Sequence, residues 1–118
     1  MTTLLQDLQT VLAPVTPGGA WYQVNESQPP VTPYVVYSRV ISTTNNSLQG
    51  PSNLQNTRVQ VDVYARTMQL AEAAADAADV AMRAGPWASC VQVSATDMYE
   101  AEVRLYRVVR DFSLWATN

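Results

Sequence analysis

Carboxylates are the side chains of this 118-residue sequence whose spacing comes closest to chemistry. Glu72, Asp76 and Asp79 share one face if their stretch is helical, and such a stripe could in principle hold a divalent cation. Carboxylates on the outer face of an amphipathic helix are ordinarily just solvated, so no metal site is expected from them. Glu100 and Glu102 share a strand parity and could act as an acid pair, yet Arg104 and Arg107 offer simpler ion-pair partners. Arg104, Arg107 and Arg110 resemble a basic stripe. Strand alternation divides them between two faces and Asp111 interrupts them, so no grip on nucleic acid is expected. Histidine is absent, and all seven basic residues are arginine. This removes the Ser-His-Asp and Cys-His arrangements, the usual zinc ligands, the Schiff-base lysine and the phosphate-loop lysine. Cys90 is the single cysteine, which rules out an internal disulfide and reads as a small buried thiol. Catalytic residues, cofactors and metals are therefore all expected to be none.

The elements that would position any site come next. Apolar residues make up 47% and charged residues 14%, with a formal charge of −3, which suits one domain over residues 1–118 with two layers. Net negative charge argues against phosphate binding. Arginine without lysine leans toward interfaces, because a planar fork pairs with carboxylates and stacks on aromatic rings. No basic n-region opens the chain and no run of about 18 apolar residues occurs, so a soluble protein made in a cytoplasm, with no membrane contact, is expected. The Asn-x-Ser triplets at Asn25 and Asn45 read as chance.

Leu4, Leu5, Leu8, Val11 and Leu12 recur at helical spacing, with Thr2 or Thr3 as cap. Pro14, Pro17, Gly18 and Gly19 end that helix. Trp21, Tyr22 and Val24 predict a brief strand, and residues 25–33, with Pro29, Pro30 and Pro33, a stiff extended connection. Residues 34–41 are β-branched and aromatic, a buried strand whose only charge is Arg39. From Ser42 to about Asn56 the composition predicts a long uncharged loop, a docking arm or an idle hairpin tip. Thr67 caps a helix over 68–84, closed by Gly85 and Pro86. Its polar stripe is Gln69, Glu72, Asp76, Asp79 and Arg83; Leu70, Ala71, Ala74, Ala78, Ala81 and Met82 form the packing face. Ala74→Glu is expected to unfold or misassemble the domain, since it buries an unpaired charge. Strands over 87–95 and 102–116 follow, joined by an acidic turn at 96–100. Phase slips in the last strand between Leu105 and Phe112. Either a bulge near Val108 and Val109 restores its dry face, or its second half packs on a neighbouring molecule.

Between the two halves lies Arg58-Val59-Gln60-Val61-Asp62-Val63-Tyr64-Ala65-Arg66, a strict alternation. Val59, Val61, Val63 and Ala65 define a dry face; Arg58, Gln60, Asp62, Tyr64 and Arg66 define a polar one. That polar face is either solvated surface or a surface that meets another subunit, where Arg and Tyr are enriched.

The order helix, strand, strand, long loop, strand, helix, strand, strand, with Pro33-Tyr34-Val35-Val36-Tyr37 in the early strand and the 58–66 segment before an alanine helix, resembles the bacteriophage tail completion proteins. These are the tail terminator or tail-to-head joining proteins of long-tailed phages. The resemblance implies an α+β fold, in which a mostly antiparallel sheet of about four to five strands carries two helices in the order α-β-β-β-α-β-β. It also implies a structural, non-enzymatic role: a homo-oligomeric, hexameric ring that caps the tail tube and joins head to tail. Its implied partners are further copies of itself, the tail tube protein and the head connector protein. The resemblance further implies a ring through which DNA would pass without specific binding. Such a protein would sit at the virion head–tail junction after assembly in the host bacterial cytoplasm. Arg58, Asp62, Tyr64 and Arg66 would serve subunit contacts, and Asn45, Asn46, Leu48 and Gln49 in the loop would reach a neighbour or the tube. A small ligand-binding or enzymatic α+β domain, with a pocket between helix and sheet, and a non-viral adaptor module are the alternatives.

Overall fold

Thr3 opens the first helix through a capping box: its Oγ1 accepts from the Gln6 backbone N–H at 3.2 Å, while its own N–H donates to Gln6 Oε1 at 2.9 Å. Helix α1 spans Leu4–Leu12, and its apolar stripe buries Leu4, Leu8 and Leu12. A 3₁₀ turn at Ala13–Val15 follows, since Pro14 fits the start of a helical turn but cannot extend the ladder. The computed structural model describes residues 3–26, 30–47, 50–87 and 89–117. Its strands are β1 (Ala20–Tyr22), β2 (Tyr34–Ser47), β3 (Gly50–Ala65), β4 (Ser89–Glu100) and β5 (Leu105–Thr117), with helix α2 (Met68–Arg83) between β3 and β4. The fold is α+β, in the order expected.

All five strands form one sheet in the spatial order β1-β2-β3-β5-β4, parallel only between β1 and β2. Both helices lie on one face. Under them sit Val35, Tyr37, Val59, Val61, Val63, Val108, Phe112 and Leu114, all buried. Full burial of a side chain the size of Leu or Phe contributes about 1.5–3 kcal/mol, so this inner layer holds the sheet together. Tyr37 is tied to α1 by its hydroxyl, which donates to Gln9 Oε1 at 2.6 Å, while Gln9 Nε2 donates to the Ala20 carbonyl. Close approach of two backbones anchors the entry to β2: the Gly18 N–H donates to the Pro33 carbonyl at 2.9 Å, and a Cβ at Gly18 would collide with the carbonyls of Val31 and Pro33.

Four expectations need correction. Residues 42–47 and 50–56 are not a loop, because β2 and β3 pair as far as Ser47 and Gly50, with irregularities between Arg39 and Ile41 and between Thr44 and Asn46. Turn-forming residues are held extended there by cross-strand pairing, which overrides propensity. Residues 96–100 are likewise strand, and the turn falls at 101–104. The bulge lies in β4, between Gln92 and Ser94, rather than in β5. Strand β5 pairs with β3 without interruption; its Val108, Phe112, Leu114 and Ala116 face the helices, whereas Leu105 packs on the opposite face with Tyr34 and Val36. Both faces carry a dry patch, which is why the alternation looked broken. Finally, α2 buries Ala71, Ala75, Ala78 and Met82, while Ala74 is only half-buried and Leu70 is 50% exposed.

Candidate interaction surface

The sheet face turned away from the helices carries the polar residues of β3. At its centre Arg107 stands directly across from Tyr64 on β3 and Met98 on β4. Its diagonal neighbours are Asp62, whose direct partner is Val109, and Glu100, whose direct partner is Leu105. The guanidinium reaches both carboxylates: Nη2 donates to Asp62 Oδ2 at 2.7 Å and Nη1 to Glu100 Oε1 at 2.8 Å. Its carbon lies 5.7 Å from the centre of the Tyr64 ring, within cation–π range. Tyr64 in turn stacks on its cross-strand partner Tyr34, with centroids 4.9 Å apart and planes 18° from parallel.

Asp62 is only 6% exposed, so the polar face is not evenly wet. Burial raises its pKa above the usual carboxylate value; hydrogen bonding and attraction from Arg107, with a further hydrogen bond from Gln60, oppose this without overcoming it. Burial also opposes the Arg107 charge, but the hydrogen bonds to Glu100 and Asp62 outweigh it and raise the pKa further, so Arg107 remains a cation. The Tyr34 and Tyr64 phenols are raised, chiefly by burial.

Beside the triad of Arg107, Asp62 and Glu100 lies an open cleft of about 790 Å³, lined by these three residues and by Tyr34, Tyr64, Gln23 and Asn25 among others. A second hollow, of about 580 Å³, lies against Arg66, Arg104 and Leu105. Both are on this side of the molecule, whereas the enzymatic alternative called for a pocket between helix and sheet.

The expected contact residues are thus divided. Arg58 and Arg66 are exposed, Tyr64 is half-buried, and Asp62 is committed to Arg107 within the chain. Asn45 and Asn46 belong to β2, next to Ser47, which pairs with Gly50 of β3; Leu48 and Gln49 lie outside the described residues. Arg107 and Tyr34 are the members of the cluster not singled out from sequence as partners of Asp62 and Tyr64. Arg107 and Asp62 lie 45 positions apart, and only the β3–β5 register joins them.

Two carboxylates of the α2 stripe are engaged in ion pairs, Asp76 with Arg110 at 2.8 Å and Asp79 with Arg83 at 3.2 Å. Among the described residues no three His, Cys, Asp or Glu side chains are placed to hold a metal ion. Cys90 is half-buried, and burial, helped by Asp79 and opposed by Arg83, pushes its thiol up to about 11, which leaves it a neutral and poor nucleophile. No helix among the described residues is long and apolar enough to cross a membrane. The arrangement offers charge, aromatic faces and shape, which are means of contact.

One chain of the virion of a native gene transfer agent particle has a similar fold, with a TM-score of 0.70 over 98% of this chain and 95% of that chain at 17% identity. At that identity the likeness bears on fold alone. No curated protein matches the sequence significantly. The sequence profile of the tail completion protein gp17 family matches residues 2–117, nearly the whole chain, and the protein belongs to that family of phage tail completion proteins.

Proposed function

We propose that this structural tail protein caps the tail tube as a homo-oligomeric, hexameric ring and presents the surface on which the head connector docks. Its place is the virion head–tail junction, reached after assembly in the host cytoplasm, and it carries out no enzymatic reaction. Membership of the tail completion family is the observation that carries this reading. Two features support it. One sheet face is left without a helical layer and bears the exposed cations Arg58 and Arg66. The β2–β3 ribbon extends past Leu54, where β5 ends its pairing with β3, so Asn45 and Asn46 belong to an arm suited to reach a neighbouring subunit or the tube, a role we extend to Leu48 and Gln49, which lie outside the described residues. A formal charge of −3 per chain gives a ring that lets DNA pass without retaining it.

The deciding experiment is the native mass of the protein, alone and bound to unfinished tail tubes. The expected species has six times the mass of the 13.0 kDa chain. A monomer under both conditions overturns the ring. Arg58→Glu together with Arg66→Glu is expected to leave a folded chain and abolish finished tails, and normal infectious particles from that variant would remove both residues from the interface.

A further inference from the structure

The sheet has two open edges on opposite sides of the molecule. Strand β4 forms one of them over its full 12 residues, pairing among the described residues with β5 alone. On the other side β1 covers β2 only at Val35, Val36 and Tyr37, and among the described residues no strand pairs with that edge of β2 over 38–44. Unpaired edges invite pairing with another chain, and folded proteins usually blunt them with charge, proline or brevity. Strand β4 is long and lacks proline and lysine, and it exposes Val91, Val93, Met98 and Tyr99. The β2 edge exposes Val40.

Charge divides between the two edges. The register Asp97↔Val108 puts Asp97 on the helix-bearing face of β4, and Arg39↔Val59 puts Arg39 on the same face of β2. Both are exposed, and neither has an ion-pair partner among the described residues. We infer that β4 of one copy pairs antiparallel with residues 38–44 of β2 in the next copy, with Asp97 set against Arg39 across the junction. The antiparallel sense follows from strand direction: β2 and β5 run one way, β3 and β4 the other, so a copy related by rotation brings an opposed β2 to β4. The contact is heterologous, since each copy offers β4 on one side and β2 on the other, and repetition by a closing rotation makes a ring. This mode of closure rests on the ring proposed above and names the surfaces that close it.

The test uses Arg39→Asp, Asp97→Arg and the variant that carries both changes. Both residues are exposed, so the chains should fold, and an unchanged circular dichroism spectrum and melting midpoint check this. Turning attraction into repulsion weakens each junction about tenfold, so either single reversal should raise the concentration needed for assembly and the exchanged pair should restore it. Single reversals that assemble like the parent protein, or an exchanged pair that stays apart, overturn the edge pairing. A covalent version is independent of ring stability. Arg39→Cys with Asp97→Cys, in a Cys90→Ser background, should oxidise to a ladder of linked chains that ends at six. Assembled protein that yields no such ladder also overturns it. Failure of the parent protein to assemble, alone or on tubes, would instead remove the ring, and that outcome needs no variant to be seen.

Discussion

Arg107 is the residue on which the uncovered sheet face depends, because it is the cation for two carboxylates and lies against one aromatic ring. Removing it leaves Asp62 buried without a counter-charge, and loss of one partner of a buried pair costs about 3–5 kcal/mol. The Arg107 side chain is 23% exposed and Glu100 is wetter still, so Arg107→Met is expected to cost rather less, about 2–3 kcal/mol in urea unfolding. Adding Asp62→Leu should recover most of that loss, since the carboxylate that suffers is then gone. If the double variant is no more stable than Arg107→Met, the loss comes from elsewhere. Asp62 also sets a pH dependence. Its folded pKa is raised, so the folded state holds the proton to higher pH than the unfolded chain does. The group's contribution is complete below the ordinary carboxylate pKa and is lost as pH rises through the folded value. Asp62→Asn, which cannot ionise, should therefore gain on the parent protein as pH climbs through that window. Melting midpoints measured from acid to neutral pH check this, and a variant that loses ground to the parent protein as pH rises would contradict it.

Helix α2 shows which structural information is local. Its start was legible because Thr67 Oγ1 accepts from the Leu70 N–H at 3.1 Å, and its end because Gly85 and Pro86 stop the ladder, all within a few positions of the helix. Its rotation was read less well, because alanines occupy the wet and dry sides alike and carry no contrast. Ala75 is buried whereas Ala77 is exposed. Ala75→Glu is thus expected to unfold the protein or cost more than about 3 kcal/mol by burying an unpaired carboxylate, and Ala77→Glu to stay within about 0.5 kcal/mol. Ala74→Glu, at a half-buried position that still packs against the core, should fall between them rather than unfold or misassemble the domain. Thermal melts of the three variants give the order directly, and any other order means a different helix rotation. Strands were legible where their own pattern repeats, as over Val59, Val61 and Val63, and obscure where the partner supplies the order. Residues 42–47 and 50–56 lack β-branched alternation and are extended because each strand lies against the other. The same holds for the triad: nothing near Asp62 in sequence announces Arg107, since a one-residue change of register between β3 and β5 would put them on opposite faces.

Over the whole molecule these features place different contacts in different regions. The extents, 51 Å along one axis and 26 and 23 Å across, describe an elongated body, as a ribbon that outruns its sheet requires. Among the described residues no third strand or helix pairs with the ribbon beyond Leu54, and a two-stranded ribbon by itself adds little stability. If it is a docking arm, shortening should separate assembly from completion. Joining Thr44 to Gln55, which face each other in the β2–β3 register, through an Asn-Gly turn removes the end of the ribbon and closes the hairpin with a favoured two-residue loop. Every core side chain named above and residues 38–44 remain, so the melting midpoint should change little and the native mass should equal six chains of the shortened protein. Tails made with this variant should nonetheless fail to yield normal numbers of infectious particles. Normal infectivity would show that the ribbon end serves neither the tube nor a neighbouring subunit. Loss of the ring itself would place the arm among the contacts that close the ring, and would move its partner from the tail tube to a second copy of the chain.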